Sequence, residues 1–296
     1  MLRIVQNLSS KKITLNSIMK RLLSIELQKI WLSKSSRILT LAYFVLLCLI
    51  ALIASIKIDI GFIHLDFKEN GIFNFPYIWH FNTYIADFFK LFLAVIIVSM
   101  MANEYSYGTL KQNLIDGMSK KEFIASKFLT VLLFAGISTI FVSVMSLILG
   151  LSFSDYKAFD VIFMDFEYIP AYFIKLTGYF SFCLFVGILI KRSAFALGFL
   201  VLWNIIEKFI YGFCKFQLFN KSDNVDAVMR FFPLESLSNL IVEPITKLNA
   251  IQNIGKQIGV ENLKDYDVHL LDVAIVLCWI AIFVFLSYKL LQKRDL

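Results

Sequence analysis

The 296-residue chain is 59% hydrophobic and only 17% charged, with a mean hydropathy of +0.74. A water-soluble core of this length has no use for so much apolar side chain, so the composition excludes an ordinary soluble domain and makes the bilayer the natural solvent. A net charge of +7 would suit nucleic acid, but the charges are sorted by the apolar runs between them.

Six such runs, near 38–57, 83–102, 128–151, 171–190, 194–213 and 271–290, each approach the roughly 20 residues that cross about 30 Å of hydrocarbon. With the N-terminus inside, the inner segments hold 17 Lys/Arg, counting Lys289 at the inner end of the last run, against 8 outside. Acids run the other way, 5 inside and 15 outside, counting Asp272 at the outer end. Basic inner loops predict cytoplasmic termini, with the basic excess facing lipid headgroups rather than DNA, and the chain is expected in the cell's inner (cytoplasmic) membrane. Cys48, Cys183, Cys214 and Cys278 form no CxxC pair and read as free thiols within or beside the apolar runs.

In chain order, residues 1–37 are too charged for a cleavable signal peptide, and Met19 offers a second start. Residues 17–32 are amphipathic at helical spacing: Ile18, Met19, Leu22, Leu23, Ile25, Leu27 and Ile30 share an arc opposite Lys20, Arg21, Ser24 and Gln28. That suits a helix lying in the inner interface, and Glu26 inside its apolar arc calls for a partner elsewhere in the chain. The first outer loop, 58–82, is aromatic and reads as an interfacial belt. Asp87 and Lys90, one turn apart in the second run, are spaced to pair on one face or to snorkel outward. Lys175 in the fourth run is a candidate mate for Glu207 in the fifth, and intramembrane charges such as these are functional suspects. Residues 214–270 form a long outer segment whose apolar stretch is broken by Pro233 and Pro244, as a re-entrant or interfacial element would be.

The segment between the second and third runs, "ANEYSYGTLKQNLIDGMSKKEFIASK" at 102–127, is polar and heavily punctuated. Thr109 with Gln112, and Ser119 with Glu122, both fit the capping box, and Gly117 suits a left-handed helix stop. These signals predict a short rigid helix over about 109–117, presenting Leu110, Leu114 and Ile115 as its apolar positions.

The positions Glu104, Gly108, Thr109, Leu110, Ser119, Lys120 and Lys127 resemble a signature of the type 2 ABC transporter permeases, and Glu26 and Lys29 resemble the Glu and Lys of that family's interfacial helix. The resemblance covers essentially the whole chain, with 247–270 unusually long. It implies an all-α polytopic fold of six transmembrane helices, with an interfacial helix in 1–37, spans one to five in 38–213 including a coupling segment at 103–127, a re-entrant element and loop at 214–270, and the sixth span with a basic tail at 271–296. It further implies an exporter moving an amphiphilic or lipid-like substrate outward, paired with a second permease, either another copy of this chain or a related one, and powered by a separate subunit that binds ATP and Mg. This chain would bind no cofactor or metal and have no catalytic residue of its own. The sequence has no GxxxxGK[ST] phosphate loop, the nearest approach being Gly255-Lys256-Gln257. Its histidines, His64, His80 and His269, lie in no HExxH, and no GxSxG occurs, so an intramembrane enzyme is poorly supported. A non-transporting membrane scaffold or sensor is the alternative.

Overall fold

A single serine separates the first two helices. In the computed structural model, which describes residues 20–56, 58–60, 63–65, 71–218, 224–247 and 264–294, α1 (20–32) runs into α2 (Lys34–Ser55) through Ser33. Ser33 Oγ accepts from the Ser36 amide and caps α2, satisfying one orphan donor of its first turn. α1 buries Leu22, Glu26 and Ile30 at four-residue spacing and exposes Ile25, Trp31 and Leu32, so the arc expected from the sequence is split between core and surface. Ile18, Met19, Gly255-Lys256-Gln257 and Asp295 lie outside the described residues. α2, about 33 Å long at 1.5 Å per residue, turns Tyr43 and Leu47 inward and leaves Ile38, Leu41, Val45 and Leu49 exposed, the pattern of a helix with lipid on most sides.

A hairpin follows, β1 (Ile58–Ile60) antiparallel to β2 (Ile63–Leu65), with Asp59 opposite His64. The second apolar run then departs from expectation. Instead of one helix over 83–102 there are two, α3 (Tyr77–Phe88) and α4 (Lys90–Ser106), bent by 46° at Phe89. No proline or glycine sits there. The ladder tightens to three-residue bonds, from the Phe89 amide to Ala86 O and from the Phe92 amide to Phe89 O, both 3.1 Å, and that local 3₁₀ turn redirects the axis.

α5 (Thr109–Ile115) lies between α4 and α6 (Lys120–Phe153). Its C-terminus is a Schellman stop: the Gly117 amide reaches Leu114 O at 3.2 Å and the Met118 amide reaches Asn113 O at 3.0 Å, with Gly117 at φ +97°. α6 starts at once from the Ser119–Glu122 capping box, both halves of which are formed, and runs 34 residues, two turns longer at its start than its apolar part requires. The other expected box is absent. Gly108, at φ +68°, occupies the cap position of α5 with no side-chain cap, and Thr109 is already the first helical residue.

After the one-turn α7 (Phe159–Ile162), α8 (Tyr168–Ile190) is apolar all round and forms the centre of the bundle, touching α3, α4, α6, α9, α11 and α12. Tyr172 at its core meets Tyr43 of α2 at 3.1 Å, and Tyr43 also bonds Ser138 of α6, a buried polar tie across three helices. α9 (Ser193–Phe213) leaves Phe195, Val201, Leu202, Ile205 and Phe209 exposed. Two short helices, α10 (Asn224–Met229) and α11 (Pro233–Asn239), cross the end of the bundle away from α5, and α12 (Leu270–Gln292) closes it against α8, α6 and α11. Among the described residues, α2, α6, α8, α9 and α12 are each long and apolar enough to cross a membrane, and α3 with α4 makes a sixth if the bent pair counts as one span.

Candidate functional site

The polar punctuation of 102–127 converges on one buried charge. Lys127, on α6 and fully buried, donates to Glu26 Oε2 of α1 and to Glu104 Oε1 of α4, both at 2.6 Å. Lys29 donates to the same Glu104 oxygen at 2.9 Å and lies 3.6 Å from Glu26. Thr109, the first residue of α5, donates its hydroxyl to the other oxygen, Glu104 Oε2, at 2.5 Å. Two carboxylates and two ammoniums balance, so a cluster that would be costly as an unpaired charge is neutral as a set. Half-burial works against the charge on Lys29; Glu26 and Glu104 outweigh it and hold the ammonium above its ordinary 10.5. Stability from a raised amine is present below its unfolded value and lost only above its folded one, so this contact persists throughout neutral pH.

The network is a fastener for α5. Thr109 ties the start of α5 to α4, Gly117 and Ser119 fix its end against α6, and Leu110 is 1% exposed in the core beneath it. That corrects one expectation. Leu110 faces the protein itself, and Leu114 is partly buried against the same core. The apolar side chains that α5 and its lead-in present outward are Ile115, 75% exposed, and Tyr107, 77% exposed. A cavity of about 400 Å³ beside the network is lined by Glu26, Lys29, Glu104, Tyr107 and Thr109.

Lys120, also singled out by its motif position, holds the C-terminal tail. Its ammonium donates to Gln292 O at 3.3 Å and Arg294 O at 3.1 Å. Arg294 in turn donates to Tyr105 Oη at 2.9 Å and Leu189 O at 3.0 Å, satisfying a carbonyl at the end of α8. The basic excess of the tail was legible; that it doubles as a clasp over α4, α6 and α8 was not, since no local pattern marks a remote carbonyl partner.

The intramembrane charges are arranged differently from the sequence expectation. Asp87 and Lys90 do pair, at 2.7 Å across the α3–α4 break. Lys175 joins them, 3.3 Å from Asp87, and does not meet Glu207. Glu207 caps α11 instead, accepting from the Leu234 amide at 3.0 Å, the Glu235 amide at 3.1 Å and Trp203 Nε1 at 2.5 Å. Pro233 at the first position of α11 has no amide to offer, so Glu207 takes the next two. Charge-assisted bonds of this kind are worth about 1.5–3 kcal/mol. Glu207→Ala is expected to loosen α11 by that order, with Glu207→Gln between it and the wild type, read as thermal unfolding and as protease sensitivity of 230–247. Unchanged behaviour of the alanine variant would mean that α11 is held by its apolar side alone. Sequence reasoning also missed the Arg230–Asp272 ion pair, which is bidentate and joins the α10–α11 turn to the first turn of α12.

A helix bundle with lipid-length apolar faces, its few inner charges held by ion pairs or N–H donors, defines a multi-pass membrane protein. The chain belongs to the family described as "Protein of unknown function (DUF2705)", whose model matches residues 44–296. It is also similar to "Uncharacterized protein YhcI" of Bacillus subtilis (strain 168), 34% identical over 79 residues. That similarity spans 26% of this chain and 25% of the relative.

Proposed function

We propose that this chain is the membrane-spanning permease of an ATP-driven ABC exporter of type 2, with α5 as the helix that couples it to a separate ATP-binding subunit. The observation that carries the reading is the fixing of α5. A seven-residue helix between two long ones is stopped at Gly117, restarted at Ser119, and bolted at its head to Glu104, Lys127, Glu26 and Lys29. A loop that only reverses the chain needs none of this. A lever that must pass force from a docked partner into α1, α4 and α6 needs all of it. The exposed Tyr107 and Ile115 supply the contact, and ATP and Mg belong to the partner.

In this reading α1, α5 and the Arg294 clasp lie on the cytoplasmic side, and α7, α10 and α11 on the outer side. The large apolar residues exposed along α9 and α2 suit a second permease copy as well as membrane lipid. The decisive experiment is purification of the tagged chain from its native membrane: a phosphate-loop ATPase is expected to co-purify with it and to be stimulated by it. A permease that purifies without any such ATPase would favour a scaffold or sensor.

Orientation has its own test. In a cysteine-free background, a cysteine at Ser119 is expected to resist a membrane-impermeant maleimide in intact cells, and one at Lys157 to react. Both positions are exposed in the chain itself, and Ser119 is expected to react once the cells are opened, which separates sidedness from cover by a docked partner. Labelling at 119 from outside would reverse the orientation and remove α5 from reach of any cytoplasmic ATPase.

A further inference from the structure

At the bend between α3 and α4 the bundle holds more positive charge than it neutralises. Asp87 Oδ2 takes both Lys90, at 2.7 Å, and Lys175, at 3.3 Å, while Asp87 Oδ1 has no partner among the described residues. Two ammoniums therefore share one carboxylate. Lys175 is committed: its side chain is 3% exposed and also reaches toward Ile241 O at 3.5 Å. Lys90 is not. It is 19% exposed, stands 4.7 Å over the Tyr179 ring, and with Tyr179, Asp87, Asn204 and Ser238 supplies the polar lining of a cavity of about 580 Å³. The nearby acids do not supply the missing charge. Glu207 is held by three N–H donors and Glu235 pairs with Lys208 at 2.7 Å, and neither lines the cavity.

The rest of the cavity is a greasy slot. Leu91 and Val95 of α4 face Leu197, Leu200, Val201 and Ile205 of α9. Leu91, Val201 and Ile205 are more than half exposed, so the slot opens sideways at the apolar surface, while Leu200 is buried at its back. Its volume falls within the roughly 300–1,000 Å³ of small-molecule sites, which combine apolar walls with a few placed polar groups. An apolar chain entering from the membrane would bring its headgroup to rest at Lys90, where two ammoniums sharing one carboxylate in a low-dielectric setting favour an added anion.

We propose that this cavity binds a single-chain amphiphile with an anionic oxygen headgroup, a carboxylate or a phosphate monoester, the anion at Lys90 and the chain between α4 and α9. Naming it cargo rests on the exporter reading above; its binding is a property of the permease alone. The ammonium contributes charge and up to three donors, so the site reads charge more than the shape of the acid.

The test uses the full chain in phosphatidylcholine nanodiscs with a diazirine-bearing hexadecanoic acid as the probe, cross-linked and mapped by mass spectrometry. Label is expected on the α4 and α9 peptides, competed by hexadecanoate or hexadecyl phosphate and not by hexadecanol. The stronger of the two competitors distinguishes carboxylate from phosphate. Two-chain phosphatidic acid competing as well as either would make the occupant an ordinary bilayer lipid and overturn the single-chain assignment. Lys90→Met is expected to cut labelling tenfold or more, and Lys90→Arg to retain most of it. Val201→Trp, which fills the slot and leaves the ion pairs in place, is expected to abolish labelling in a folded protein. Equal competition by hexadecanol, or wild-type labelling of Lys90→Met, overturns the proposal. Loss of the ATPase partner from a permease that still labels at α4 and α9 would sink the exporter reading and leave this site standing.

Discussion

Lys127→Met is expected to leave the helices inserted and to unlock α1 and α5 from them. The ammonium is buried between Glu26 and Glu104, at 2.6 Å from each. Methionine fills the stem of the side chain but strands two carboxylates with only the half-exposed Lys29 to serve both. Removing one member of a buried ion pair costs about 3–5 kcal/mol, chiefly because the remaining charge stays desolvated. The measurable result is a marked fall in the unfolding temperature of the purified protein and loss of protease resistance at 20–32. A triple variant, Glu26→Gln and Glu104→Gln added to Lys127→Met, is expected to regain part of that stability, since the one charge then left is the half-exposed Lys29, which water can reach. The head of α5 should stay loose, and transport low on the proposed exporter reading, because Thr109 would hold a neutral amide more weakly than a carboxylate. Wild-type unfolding of the single variant would show that water reaches the cluster and that it fastens nothing.

The parts of this architecture that one side chain decides locally were legible in the sequence. Lipid demands long unbroken apolar runs, so α6, α8, α9 and α12 fall where the runs do. Gly117 is the residue that tolerates φ +97°, so the stop of α5 could be read from it. Ser119 and Glu122 satisfy each other within one turn, so the start of α6 could be read as well.

Where a residue's partner lies on another helix, the pattern ran out. A wheel gives the angle of Lys175 about its own axis and says nothing of which neighbour that face meets; the neighbour is Asp87, not Glu207. Thr109 with Gln112 has the spacing of a capping box, but Gly108 already holds the cap position and the Thr109 hydroxyl is drawn back to a buried carboxylate five residues earlier. The bend at Phe89 carries no proline or glycine to announce it. Glu26 is the intermediate case: its misfit in an apolar arc showed that a partner existed, and only packing could reveal Lys127.

On the proposed exporter reading, Ile115→Asp is expected to detach the ATPase while leaving this chain folded, and Leu110→Asp to do damage of another kind. The two positions were equivalent in sequence, both apolar on one short helix. They differ in what covers them: Leu110 is 1% exposed beneath α5, and Ile115 is 75% exposed. An isoleucine buried at an interface contributes about 1.5–3 kcal/mol, and an aspartate in its place must be desolvated at further cost. At 1.4 kcal/mol per tenfold, the affinity of the ATPase should fall by one to a few powers of ten. The unfolding temperature should stay within a degree or two of wild type, because the residue makes little contact in the isolated chain. Leu114→Asp, at a partly buried position, should show some of both effects. Leu110→Asp buries an unpaired charge in the permease itself and should lower stability first, losing the partner only because α5 no longer holds its shape. Gly117→Val separates geometry from contact. A β-branched residue at φ +97° strains the stop and re-aims α5 without removing Ile115 or Tyr107, so the ATPase is expected to bind and hydrolysis to lose its coupling to substrate. Co-purification and substrate-stimulated hydrolysis, measured for all four, distinguish a lever from a linker: a linker would let Ile115→Asp and Gly117→Val bind and couple as wild type does.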